Sequence, residues 1–172
     1  MFNLQELSDR EEIRDLLATL TRAQDRGDAE LRRTCYLDDA VIRYGIFNGT
    51  GAEYTEWVLD GNAGDFVVTQ HFLGQSIVQL DGDTAKAETR LLGFHVMPDG
   101  EGGEYFDLMG GRYADRFRRV DGVWKISERT TIIDWRYAVK DDQSCPMFPN
   151  FDKFNKGRRD RDDLSYELDL VF

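Results

Sequence analysis

This chain has only two histidines, His71 and His95, and both fall in consecutive strand-like stretches between Phe66 and Met97. Histidine ordinarily titrates at about pH 6.5, so it can take and return a proton near neutrality. A carboxylate bonded to one ring nitrogen fixes the tautomer and stabilises the imidazolium that forms. The candidate carboxylate is Asp25, in Leu20-Thr-Arg-Ala-Gln-Asp25-Arg-Gly-Asp28, where an apolar helical pattern ends at a glycine. If the fold joins these three residues, they form an orienting carboxylate, a general base and a second imidazole. That set suffices for proton abstraction followed by elimination, with His95, Tyr44, Tyr113 or Arg129 assisting the leaving group or holding an oxyanion. Each residue also has a plain structural reading. A strand histidine is commonly a satisfied core group, Asp25 could cap the turn at Gly27, and Arg129 could be one half of an ion pair.

Positioning Asp25 falls to a helix. Ser8, with Glu11 three residues later, reads as its capped start, and Ile13, Leu16, Leu17 and Leu20 recur at helical spacing. Asp25 lies about 80° round from Leu17, at the edge of the buried stripe. Asp28 caps a second short helix through Tyr36. Ala40 to Gly45 reads as a short strand, Asn48-Gly-Thr-Gly51 as a turn and Thr50 to Leu59 as a third helix.

The histidines need strands. Phe66–Leu80 and Thr84–Val96 flank the turn Asp81-Gly-Asp83, and Glu104–Val120 and Val123–Val139 flank Asp121-Gly122, a short-range hairpin signal. Three helices followed by long hairpins predict an α+β fold, a cone-shaped, curved antiparallel sheet with the helices packed on its concave face. Alternation in the second strand turns Ala85, Ala87, Thr89, Leu91, Gly93, His95 and Met97 inward. The same test in the third puts Tyr105, Asp107, Met109, Gly111, Tyr113 and Phe117 on one face, opposite Arg112, Arg116 and Arg118. Gly93, Gly110 and Gly111 suggest bends around a cavity. His71 is not placed, because its strand is apolar in both phases; burial on both faces or a bulge near Gly74 fits equally. Tyr44, Trp57, Tyr105, Tyr113 and Trp135 read as core and pocket lining, which implies a small apolar or aromatic substrate.

The 172 residues suit one domain, with residues 1–139 forming it and 140–172 an extension on the same domain or a neighbouring subunit. A net charge of −11 argues against nucleic acid and against an anionic membrane surface, both of which need clustered Lys and Arg. There is no transmembrane-length apolar run and no signal-peptide pattern, so the expected location is cytoplasmic. Cys35 and Cys145 read as unpaired thiols, and no metal-ligand set is present. In the extension, Gly157–Asp163 reads as a solvated charged loop, while Phe148, Phe151 and Phe154 at helical spacing would lid the pocket, pack on a neighbour or join the core. An open sheet leaves a face that partners usually cover, so a homo-oligomer, dimer or trimer, is expected.

Several of these features together resemble a known family. They are the helix ending near Asp25, the Gly-bounded second helix, Thr69-Gln-His71-Phe, Gly111-Arg-Tyr113 and Arg119-Val-Asp-Gly-Val-Trp124-Lys-Ile-Ser-Glu-Arg129. They look like the SnoaL-like branch of the nuclear transport factor 2 fold, nearest its scytalone dehydratase and hexachlorocyclohexane dehydrochlorinase group, across roughly residues 5 to 137. The resemblance implies a deep apolar pocket, no metal or organic cofactor, and an Asp-His dyad at Asp25 and His71. Arg129 matches an arginine that the dehydrochlorinases carry after their Trp-Lys pair. His95 is placed like the second histidine of the scytalone dehydratases, and Gln24 stands where those enzymes have tyrosine. The function expected is a cofactor-independent, dehydratase-like lyase. An isomerase or an aldehyde-releasing retro-aldol lyase would use the same base. A non-catalytic ligand-binding protein, or the small subunit of an aromatic-ring dioxygenase, is the alternative from another class.

Overall fold

The computed structural model describes residues 2–60, 64–140, 155–168 and 170. Helix α1 (Leu4–Arg26) starts a turn earlier than the Ser8 cap predicts. Asn3 accepts the Glu6 amide at 2.9 Å while the Glu6 carboxylate accepts the Asn3 amide at 2.8 Å, so the capping box lies upstream. Ser8 is left inside the helix, donating to Glu12, because a nucleated helix propagates through a second cap signal cheaply. The helix ends at Gly27, whose φ of 65° is a left-handed conformation that glycine adopts without steric cost.

Asp28 caps α2 (Ala29–Cys35) through the Leu31 amide. Strand β1 (Tyr36–Arg43) turns back into β2 (Asn48–Thr50), and Thr50 with Glu53 caps α3 (Gly51–Leu59). Asn48-Gly-Thr50 is therefore a paired strand and not a bare turn, and β1 begins at Tyr36 instead of Ala40. Then come β3 (Val68–Asp81), β4 (Thr84–Pro98), β5 (Glu104–Val120) and β6 (Val123–Lys140). The sheet order is β2-β1-β6-β5-β4-β3.

Strands β3 to β6 pair antiparallel, as the hairpin signals predict, but β1 runs parallel to β6. The curved, unclosed sheet is thus mixed. Local turn chemistry specifies the meander only; the β1–β6 pair is joined by a crossover containing α3 and four strands, which no short motif encodes.

The core lies between the helices and the inner face of the sheet. Ile13, Leu17 and Leu20 of α1 pack with Val78, Ala85, Ala87, Phe117, Trp124 and Ile126, each full burial of a large aliphatic side chain stabilising by about 1.5–3 kcal/mol. Asp9 fixes the helix along the sheet by accepting from Arg119 Nη1 at 2.6 Å and Trp124 Nε1 at 3.2 Å.

Three irregularities, one in β3 and two in β6, decide which side chains face inward. In β3, Leu73 pairs with Leu91 but Ser76 with Thr89, so Gly74 and Gln75 together oppose Arg90. The inward phase changes from Thr69, His71 and Leu73 to Ser76, Val78 and Leu80. In β6, Ile126 pairs with Phe117 but Glu128 with Arg116, and Ile133 pairs with Gly111 but Trp135 with Gly110, leaving Ser127 and Asp134 as extra residues.

The described part of the extension packs on the α1–α2 corner of its own chain. Its 3-10 helix (Leu164–Leu168) sends the Tyr166 hydroxyl to Asp28 at 2.9 Å, and Arg26 lies 3.3 Å from Asp163. Most of the charged run, Gly157, Arg158 and Asp160 to Asp162, is exposed as its composition predicts, but Asp163 is buried and Arg159 is drawn inward. Phe148, Phe151, Phe154 and Cys145 lie outside the described residues. Among the described residues, no helix is long and apolar enough to cross a membrane.

Candidate active site

Asp25 reaches the sheet because α1 carries it to the last turn, where the helix lies over the start of β3. It is buried and bonded on both oxygens. Oδ1 lies 2.6 Å from His71 Nδ1 and accepts the Thr69 hydroxyl at 3.1 Å; Oδ2 accepts the His71 backbone amide at 2.9 Å. The carboxylate thus grips one residue by both its ring and its main chain. Nδ1 is assigned as the protonated nitrogen, since an ionised carboxylate only accepts, and Nε2 keeps a free lone pair.

His71 and His95 line one cavity of about 390 Å³. Their rings meet edge to face, with centroids 5.6 Å apart. His95 points inward on β4 as its alternation predicts, with the Phe66 ring 5.1 Å away. Gly93 makes room for it, since a Cβ there would lie 3.0 Å from His95 Cε1. Burial first, and then the neighbouring His71, push His95 down to about 4, against the opposing pull of Asp107. Its Nδ1 is buried without a hydrogen-bond partner, the Asp107 carboxylate being 3.7 Å away and already held by Arg136. His95 is therefore a neutral imidazole at neutral pH.

The remaining wall is mostly apolar: Ile46, Tyr54, Trp57, Val58, Met97, Met109 and Ile133, with Tyr44 and Phe66. Burial raises the Tyr44 phenol well above its usual range, so it holds its proton.

Of the residues expected from sequence, His71, His95, Tyr44 and Trp57 line this cavity, and Asp25 stands behind His71. The others are elsewhere. Tyr113 is fully buried and not part of the cavity wall, with its ring against the Arg129 guanidinium, 3.8 Å from the ring centroid. Arg129 is itself buried and makes two bonds to Asp115, at 2.8 and 2.7 Å, so it does not reach the cavity wall. Tyr105 is on the inward side of β5 but sits at its start, 40 % exposed, away from the cavity. Trp135 is turned to the outer face by the extra residue Asp134, and Arg136 takes the inward place instead.

Sequence reasoning passed over Thr69, Arg32, Arg136 and Arg159. Thr69 shares inward parity with His71, a signal visible once the bulge at Gly74 is accepted. Arg159 is 88 residues beyond His71 in a charged run, and nothing local marks it as inward. It donates to the Gln24 carbonyl at 3.4 Å and to the Thr69 hydroxyl. No group of three or more metal-ligating side chains occurs among the described residues.

Comparison with known proteins agrees with the fold. A model of the SnoaL-like domain matches residues 5–130. Uncharacterized protein Rv2910c of Mycobacterium tuberculosis is 32 % identical over 132 residues, covering 75 % of this chain and 88 % of that protein. Among solved structures, hexachlorocyclohexane dehydrochlorinase LinA-type3 from Novosphingobium barchaimii superposes with a TM-score of 0.72 at 19 % identity, over 85 % of this chain and 98 % of that one. A protein provisionally described as a scytalone dehydratase, from Novosphingobium aromaticivorans, gives 0.67 at 20 % identity, over 76 % and 87 %. At such identities the structural matches speak for the fold alone. The sequence match, which spans most of the chain, goes further: this protein belongs to the SnoaL-like domain family.

Proposed function

We propose that this protein is a cofactor-independent lyase in which His71, oriented by Asp25, abstracts a proton from carbon in a small apolar or aromatic substrate. The observation that carries the reading is the 2.6 Å contact between Asp25 and His71 Nδ1 beside a largely apolar cavity. His71 Nε2 takes the proton from the carbon next to an electron-withdrawing group. The C–H electron pair becomes the new double bond, and the C–O pair leaves with a hydroxyl oxygen that acquires a proton and departs as water. Asp25 holds the imidazolium that forms. Tyr44, protonated, and the neutral His95 supply hydrogen-bond donors for charge developing on oxygen. Arg129 has a structural place in this reading, as the buried partner of Asp115.

The test does not require the natural substrate. Opening of 5-nitrobenzisoxazole needs only proton removal from carbon by a positioned base, with N–O cleavage, and the phenolate product is followed by absorbance. The chain is expected to accelerate this reaction, and His71→Gln or Asp25→Asn to lower the rate by about 10²–10⁴. An unchanged rate in His71→Gln would sink the proposal.

A further inference from the structure

Arg32 lies in the last turn of α2, is 4 % exposed and lines the cavity. Its Nε is buried without a hydrogen-bond partner. Among the described residues no carboxylate comes within ion-pairing distance of Arg32 or of Arg159, which enters the same cavity from the extension. The bonds of the Arg159 guanidinium run to two neutral acceptors, the Gln24 carbonyl and the Thr69 hydroxyl. The acids nearby are already engaged: Asp25 is held by His71 and Thr69, and Asp107 by Arg136.

A guanidinium cannot escape burial by giving up its proton, and a buried charge without a partner is strongly destabilising. Arg32 and Arg159 also oppose each other. Burial lowers the Arg159 pKa most, the Asp25 carboxylate next pulls it up, and the like charges of Arg32 and Arg26 push it down again. Solvated surface arginines would not be arranged so. Two unpaired guanidiniums beside an aromatic wall are what a site for an organic acid requires: a fork of donors for the carboxylate and Tyr44, Tyr54, Trp57 and Phe66 for the carbon skeleton.

We infer that the substrate of this cavity carries a carboxylate, held by Arg32 and Arg159, with its apolar or aromatic body against the wall that His71 faces. The inference rests on the reading of this cavity as the substrate site, and not on elimination being its chemistry. It gives the extension a specificity role, since Arg159 lies beyond residues 5–130 of the family domain.

The experiment is calorimetric binding of benzoate, phenylacetate and 3-phenylpropanoate to the full chain at pH 7, each against its neutral amide of the same shape. The best-bound acid is expected to bind about tenfold to a hundredfold tighter than its amide, the range for a charge-assisted hydrogen bond. Arg159→Gln and Arg32→Gln should each remove most of that preference, and Arg32→Lys should keep part of it. Amides that bind as tightly as acids overturn the inference, as does no binding by either. The acid–amide comparison needs no substitution, so a variant that fails to fold does not blunt it. Loss of acid preference with benzisoxazole opening intact removes this inference alone. Acid preference without His71-dependent opening removes only the elimination.

Discussion

His95 joins pocket chemistry to stability. The unfolded chain protonates a histidine at about 6.5, while burial and His71 hold His95 in the folded chain down to about 4. Above pH 6.5 neither state is protonated and the folded protein has its full stability. As pH falls from 6.5 toward 4 the unfolded chain binds a proton that the folded one refuses, and stability drops by a total of about 3 kcal/mol. Urea denaturation at pH 7, 5.5 and 4.5 should record this decline, and His95→Gln should flatten it; an equal slope in that variant would mean other groups carry it. Arg129 illustrates the reverse lesson about single residues. Its position after Trp124-Lys suggests chemistry, but the Asp115 partner and the Tyr113 ring that enclose it are visible only when β5 and β6 are paired.

At the scale of elements, the glycines of β5 set what the sheet can present. A Cβ on Gly111 would stand 2.1 Å from the Ile132 carbonyl oxygen, a main-chain atom that no rotamer change can move. Gly111→Ala should therefore destabilise the fold by about 1–3 kcal/mol, read as a lowered urea midpoint at unchanged slope; a midpoint within error of the parent would show that β6 shifts freely. This junction also explains what could be read in advance. Alternation placed Ala85 through Met97 correctly because β4 pairs without interruption against β5. It was mute for His71 because β3 carries an extra residue, and one added residue reverses every side chain beyond it. Trp135 reads as lining from its aromatic type alone, which says nothing of the register shifts in β6 that set its face. Asp25 was legible because Gly27 marks the helix end locally. Arg32 and Arg159 were not, since their environment is assembled from α2, α1 and a segment more than a hundred residues later.

Taken whole, the molecule carries opposite signs outside and inside. The chain has a net charge of −11, while the cavity holds Arg32 and Arg159, neither of which has a carboxylate within ion-pairing distance among the described residues. The proposed base and the proposed anion site also come from different parts of the chain, one from the family domain and the other completed by the extension. An acid diffusing toward this protein meets repulsion at long range and attraction only at the end. The screening length falls from about 30 Å at 0.01 M salt to about 8 Å at 0.15 M, so added salt removes the long-range repulsion first and leaves the enclosed contacts largely untouched. In stopped-flow tryptophan fluorescence, the association rate of an aromatic carboxylate should rise with ionic strength across that range while its amide stays level; a rate that falls with salt would mean the exterior field does not oppose entry. If the cavity takes organic acids as proposed, the acidic coat acts as a kinetic filter, favouring their capture in salty surroundings and slowing it in dilute ones.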